Sequence, residues 1–183
     1  MNGDRQGAAI APVPLVAIAW LSMAGFDFLL HGGLLAFLYV ESSPFLLPSS
    51  KAIALLPVGY ASLLLVAVLL VWLMRRMRVA GWRPGAVFGL AVGALMSGAF
   101  VLGLLSISTA DPRLLLGWFL GQTLETAVAG AVVGAGLAGM RLKRLVGRVV
   151  ALVLLALIAT VILQSVGVAP AIHRESSLTT SAR

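Results

Sequence analysis

Cysteine is absent from the 183 residues, which excludes disulfides, thiolate metal sites and thiol redox chemistry. Charge is nearly as scarce. Acidic residues number six, and all charged residues together make 10% of the chain, against roughly a quarter in soluble domains. No Walker or Rossmann glycine pattern occurs, and no internal repeat. What remains is apolar: 61% of residues are hydrophobic and the mean hydropathy is +1.08. A soluble fold of this length has no interior large enough to hide that surface, so the solvent must be lipid. The chain reads as an integral membrane protein.

Five apolar runs stand out, at approximately 13–40, 52–74, 85–107, 114–140 and 147–167, each near or above the ~20 residues that cross a bilayer. Their separators, "ESSPFLLPSSK", "RRMRVAGWRP", "STADPR" and "RLKRLVGR", are rich in Ser, Pro, Gly and Arg. Asp111-Pro112 is a helix start. The expected fold is an all-α polytopic bundle of five transmembrane helices, or four if the last run does not span. Residues 1–168 form one domain and 169–183 a short polar tail. The first run is longer than a span needs, and Gly32-Gly33 offers a place to bend. Pro57 and Gly59 predict a second helix that begins late or kinks. The first run also exceeds the apolar core of a cleavable signal and carries Asp27, so it is expected to be retained.

The net charge of +7 sits at the ends of apolar runs, which is where topology determinants lie, so no nucleic-acid partner is expected. Arg75, Arg76, Arg78 and Arg83 separate the second and third runs, and Arg141, Lys143, Arg144 and Arg148 the fourth and fifth. The connections on the other side hold only Lys51 and Arg113. This bias predicts cytoplasmic basic loops, a cytoplasmic N-terminus and, with five spans, an external C-terminus. The basic loops can also meet lipid headgroups. Composition points to a bacterial inner membrane.

Small residues line two of the runs. Gly85, Gly89 and Gly93 recur at four-residue spacing in the third, and Gly117/Gly121 and Gly130/Gly134 in the fourth. Such spacing lets two helix backbones approach closely. It serves packing of the third helix on the fourth, or an interface with a second copy or a membrane-complex partner. Trp72, Trp82 and Trp118 fall near run ends and are expected to anchor at the headgroup level, with Trp20 deeper and in the core.

The ionisable residues well inside the runs are Asp27, His31 and Glu125, with Gln122 beside the last. A carboxylate at the bilayer centre costs on the order of 3 kcal/mol, so such groups face the bundle interior and find partners. Counting from the outer run ends, His31, Asp27 and Glu125 lie roughly 14, 20 and 17 Å deep at ~1.5 Å per residue. Asp27 and His31 share a helix face at i and i+4, as do Gln122 and Glu125 at i and i+3. A single polar layer follows if the first and fourth helices are neighbours.

Several roles fit that layer. It can clamp helix register; it can relay protons or bind a cation; or a carboxylate can act as base on a lipid or prenyl substrate. As a metal site one His and two carboxylates make a thin set for zinc, and no HExxH spacing supports it. No metal or cofactor is expected. In size and five-span layout the chain resembles the tryptophan-rich sensory protein family, but the aromatic-rich central loops of that family are not evident. The leading expectation is transport or sensing of a proton, cation or small solute. The alternatives are an accessory subunit of a larger membrane complex and an intramembrane enzyme acting on a lipid.

Overall fold

The computed structural model describes residues 10–40 and 45–170. Among these there is no strand. Six helices follow one another: α1 (Pro12–Leu29), α2 (Ser49–Ala54), α3 (Leu56–Arg76), α4 (Trp82–Ile107), α5 (Pro112–Leu137) and α6 (Leu142–Ser165). Five are long and apolar enough to cross a membrane, α1 counted with the turn that continues it to Leu34. The protein is a multi-pass membrane helix bundle. The polar tail from residue 171, with His173, lies outside the described residues.

The first run is not one continuous helix to residue 40. Regular α1 stops at Leu29, a π turn spans Leu30–Leu34, and a 3-10 turn spans Ala36–Tyr39. The Leu35 amide reaches back five residues to the Leu30 carbonyl at 2.6 Å, which inserts one extra residue into the turn. Gly32 and Gly33 lie inside it and admit α6: a methyl group on Gly33 would stand 3.1 Å from Leu163 Cδ1, and one on Gly32 would stand 3.4 Å from Thr160 Cγ2. Gln164 Nε2 donates to the Gly32 carbonyl at 3.0 Å, satisfying backbone that the irregular turn exposes. The second span begins at Leu56, with Pro57 in its first turn and the short α2 ahead of it. Proline fits there because first-turn amides have no intrahelical partner. Asp111 caps α5 by accepting from the Arg113 amide at 2.6 Å, with Pro112 next to it.

Two of the basic separators are partly helical. Arg83 falls in the first turn of α4, and Lys143, Arg144 and Arg148 lie in α6. Gly81 supplies the backbone for the α3–α4 corner at φ +99°, a conformation that side-chain-bearing residues resist. All eight basic residues are exposed, and they gather at one end of the bundle because α4 begins where α5 ends: the Gly81 amide donates to the Gly134 carbonyl at 2.8 Å.

The most intimate contact is between α4 and α5. A methyl group on Gly85 would overlap the Gly130 carbonyl oxygen, one on Gly89 would overlap the Thr126 carbonyl oxygen, and one on Gly134 would overlap the Gly81 carbonyl oxygen. Gly93 faces Thr123 and Thr126, with 2.9 Å from its would-be Cβ to Thr126 Cβ. The opposite face of α5 meets α1 and the turns that follow it, where Gly117 sits against Leu38 and Gly121 against the His31 ring. The glycines therefore serve two different neighbours. Leu15, Met23, Leu70, Met74 and Val133 fill the core between α1, α3 and α5 at the basic half.

Trp20 does more than fill space: its Nε1–H donates to the Tyr60 carbonyl at 2.8 Å and ties α1 to α3. Trp20→Phe removes the donor together with one ring of the indole, so unfolding in detergent should show a loss of about 1 kcal/mol for the hydrogen bond and a further loss for the cavity left behind. Trp72 and Trp82 are exposed, as membrane anchors are, and the Arg83 guanidinium lies 5.0 Å from the Trp82 ring. Trp118 is different, as its place in the site makes plain.

Candidate functional site

The π turn, α1 and α5 bring Asp27, His31 and Glu125 to one point. His31 Nε2 lies 3.6 Å from Asp27 Oδ1 and 3.7 Å from Glu125 Oε1. The first distance is the helical i, i+4 spacing; the second comes from the packing of α5 against the π turn, where the imidazole lies over Gly121 and a methyl group would stand in ordinary contact, 3.5 Å from His31 Nε2.

Exposure grades across the cluster. Asp27 and His31 keep 22% and 21% of their side-chain surface, and Glu125 keeps 0%. Gln122 Nε2 donates to Glu125 Oε2 at 3.3 Å. The other oxygen, Oε1, is buried and accepts no hydrogen bond. A buried polar atom without a partner costs about 1–3 kcal/mol, and this one points at the imidazole.

Two residues at the site are not apparent from sequence. Tyr39 Oη lies 2.6 Å from His31 Nδ1, and the Trp118 indole N–H donates to the same hydroxyl at 2.8 Å. Trp118 is thus a half-buried member of the site, its indole N–H engaged inside the bundle, where its place near a run end suggested an exposed anchor. In a regular helix Tyr39 would stand ~12 Å along the axis from His31. The π and 3-10 turns curl it back until the rings sit edge to face, 5.8 Å apart. A tyrosine hydroxyl donates and accepts, so Tyr39 can donate to a bare Nδ1 or accept from a protonated one, and it serves either imidazole tautomer. Tyr39→Phe leaves the Trp118 donor and His31 Nδ1 without their partner. The expected loss is about 2 kcal/mol in an unfolding titration.

A cavity of about 810 Å³ reaches this cluster from the end opposite the basic residues. Asp27, His31, Tyr39, Trp118 and Gln122 form its polar part, and Leu56, Tyr60 and Leu63 of α3 face Met96, Phe100 and Val101 of α4 across it. Leu56 and Phe100 are exposed, so the cavity opens between α3 and α4 on the bundle's apolar exterior. Ser97 borders it too, donating to the Gly93 carbonyl at 2.6 Å and lying 3.0 Å from Thr123 Oγ1.

The arrangement is a graded series: a carboxyl and an imidazole open to a cavity, and behind them a carboxyl sealed from it. An imidazole with one nitrogen between two carboxyls and the other on a hydroxyl can receive a proton at one side and release it at the other. The same convergence of two carboxyls can neutralise a cation. The chain matches no protein-family profile, no curated protein and no solved structure. The chemistry of these residues is therefore the only guide to function.

Proposed function

We propose that the protein is a small inner-membrane transport or sensing protein in which the layer of Asp27, His31, Gln122 and Glu125 takes up a proton, a cation or a small solute from the cavity. The supporting observation is Glu125 Oε1, sealed in the bundle without a hydrogen bond and aimed at His31. A purely structural clamp would satisfy its buried oxygens. A group that exchanges a proton or cation needs free acceptor capacity in one of its states.

The bias of Arg75, Arg76, Arg78, Arg83, Arg141, Lys143, Arg144 and Arg148 to one end orients the chain with that end cytoplasmic. The cavity then opens on the external half, and the N-terminus is cytoplasmic. Reconstitution into liposomes containing a pH-sensitive dye, with flux driven by an imposed potential, tests the reading. Flux that requires both Asp27 and Glu125 supports it; Asp27→Asn and Glu125→Gln proteins that match the parent refute coupling through this layer.

A second reading has its own support in the opening between α3 and α4, beside exposed Leu56 and Phe100. A lipid or prenyl substrate could enter there, with Asp27 as base. Its signature would be chemical turnover of added lipid without ion flux. An accessory-subunit role could not use Gly85, Gly89 and Gly93, which already face α5.

A further inference from the structure

The geometry points to a divalent transition-metal site made by Asp27 Oδ1, His31 Nε2 and Glu125 Oε1. This deepens the reading of the layer as a cation site and rests on it. Sequence spacing gives no hint of such a site, since Glu125 reaches the other two only through the packing of α5 on α1.

The three atoms lie within 4.8 Å of one another, and the two edges meeting at the imidazole measure 3.6 and 3.7 Å. A tetrahedral ion ~2.1 Å from each ligand sets the ligands roughly 3.4 Å apart, whereas a water bonded to all three at ~2.8 Å sets them roughly 4.6 Å apart. The imidazole edges match the ion. They are also too long for direct hydrogen bonds. Asp27, at the cavity edge, is the side chain with room to tighten the remaining edge.

The shell around the ligands fits a metal as well. Metal-bound histidines engage their other nitrogen with an outer partner, and ligating carboxylates are themselves hydrogen-bonded. His31 Nδ1 meets Tyr39 Oη at 2.6 Å, with Trp118 donating to Tyr39 from behind. Glu125 Oε2 accepts from Gln122, which leaves Oε1 as the ligating oxygen.

Charge selects the ion. Two carboxylates and a neutral imidazole cancel a 2+ charge, so the loaded site is neutral inside lipid, where an uncompensated charge is expensive. A nitrogen ligand beside two oxygens favours zinc over magnesium or calcium, and manganese, which takes the same oxygen ligands, serves as a paramagnetic stand-in. The cavity at Asp27 and His31 is the access route, and it leaves a coordination position open to a further ligand.

The test uses the full chain in lipid nanodiscs. Equilibrium dialysis against Zn²⁺ or Mn²⁺ should give one ion per chain, held against a large excess of Mg²⁺. Glu125→Gln and His31→Gln should each weaken binding more than ~100-fold, and Tyr39→Phe roughly tenfold through the lost outer contact. His173→Gln, in the tail, should leave it unchanged. Pulsed electron paramagnetic resonance of the Mn²⁺-loaded parent should show one coordinated imidazole nitrogen, a readout that does not depend on the variants folding. No bound ion, no nitrogen coupling, or binding undiminished in folded Glu125→Gln would each overturn the assignment. Metal binding without flux leaves this site standing and removes transport. Proton flux in metal-free protein, with no ion bound on titration, does the reverse.

Discussion

Gly85→Ala should destabilise the protein by about 3 kcal/mol, at the upper end of what an added methyl group does in a packed interior. The added carbon would overlap the Gly130 carbonyl oxygen. That neighbour is backbone, and it cannot rotate away as a side chain can. Gly130→Ala should behave alike, because its own methyl group would overlap the Gly85 carbonyl oxygen. Alanine's better helix propensity returns at most ~1 kcal/mol and does not offset the clash. Gly103 provides the control: nothing lies within 4 Å of its would-be Cβ, so Gly103→Ala should be neutral or slightly stabilising. Reversible unfolding in mixed micelles distinguishes the cases. Equal midpoints for Gly85→Ala and Gly103→Ala would mean that α4 and α5 are not in backbone contact.

Glu125→Gln should lower flux on the order of 100-fold or more, the usual scale for removing a group that transfers a proton, with little change in stability. Glutamine keeps the volume and can still meet Gln122, so the fold has no reason to fail. It loses the ability to take up and release a proton, and it cannot neutralise a cation. Asp27→Asn should act at the other end of the series. Asp27 keeps 22% of its side-chain surface while Glu125 keeps none, so water can partly replace the Asp27 carboxyl and nothing can replace that of Glu125. Flux in Asp27→Asn should therefore exceed flux in Glu125→Gln. The reverse order would place the essential step at the cavity mouth and not in the sealed layer.

What was legible in the sequence was what depends on period and composition. Five spans follow from run length, the α4–α5 contact from glycines four apart, and the gathering of arginine and lysine from the separators. Counting depth at the regular helical rise put Asp27, His31 and Glu125 in one layer, although the turns after Leu29 do not keep that rise. Their actual meeting was not, since depth says nothing about rotation of one helix against another. Tyr39 and Trp118 were hidden for a different reason. The π turn at Leu30–Leu34 breaks the helical period between His31 and Tyr39, and period-based reading carries a residue onward as though the helix ran straight. The Gly32-Gly33 pair was the one available signal. It marked a place for a bend or close approach, and the structure uses it for both, with α6 pressed against the turn. The cavity depends on α3 and α4 diverging at the end away from the basic residues, which no local pattern encodes.

Infrared difference spectroscopy reads the buried Glu125 carboxyl without requiring a known substrate. Spectra of the protein in nanodiscs would be compared between acid and alkaline buffer, and before and after adding Zn²⁺. If Glu125 exchanges a proton or a cation, a carbonyl-stretch band of a water-shielded carboxyl changes in at least one comparison and is missing from Glu125→Gln. A Glu125 carboxyl that stays unchanged under proton and metal alike would contradict that exchange, and would leave Asp27, His31 and Glu125 as a structural clamp.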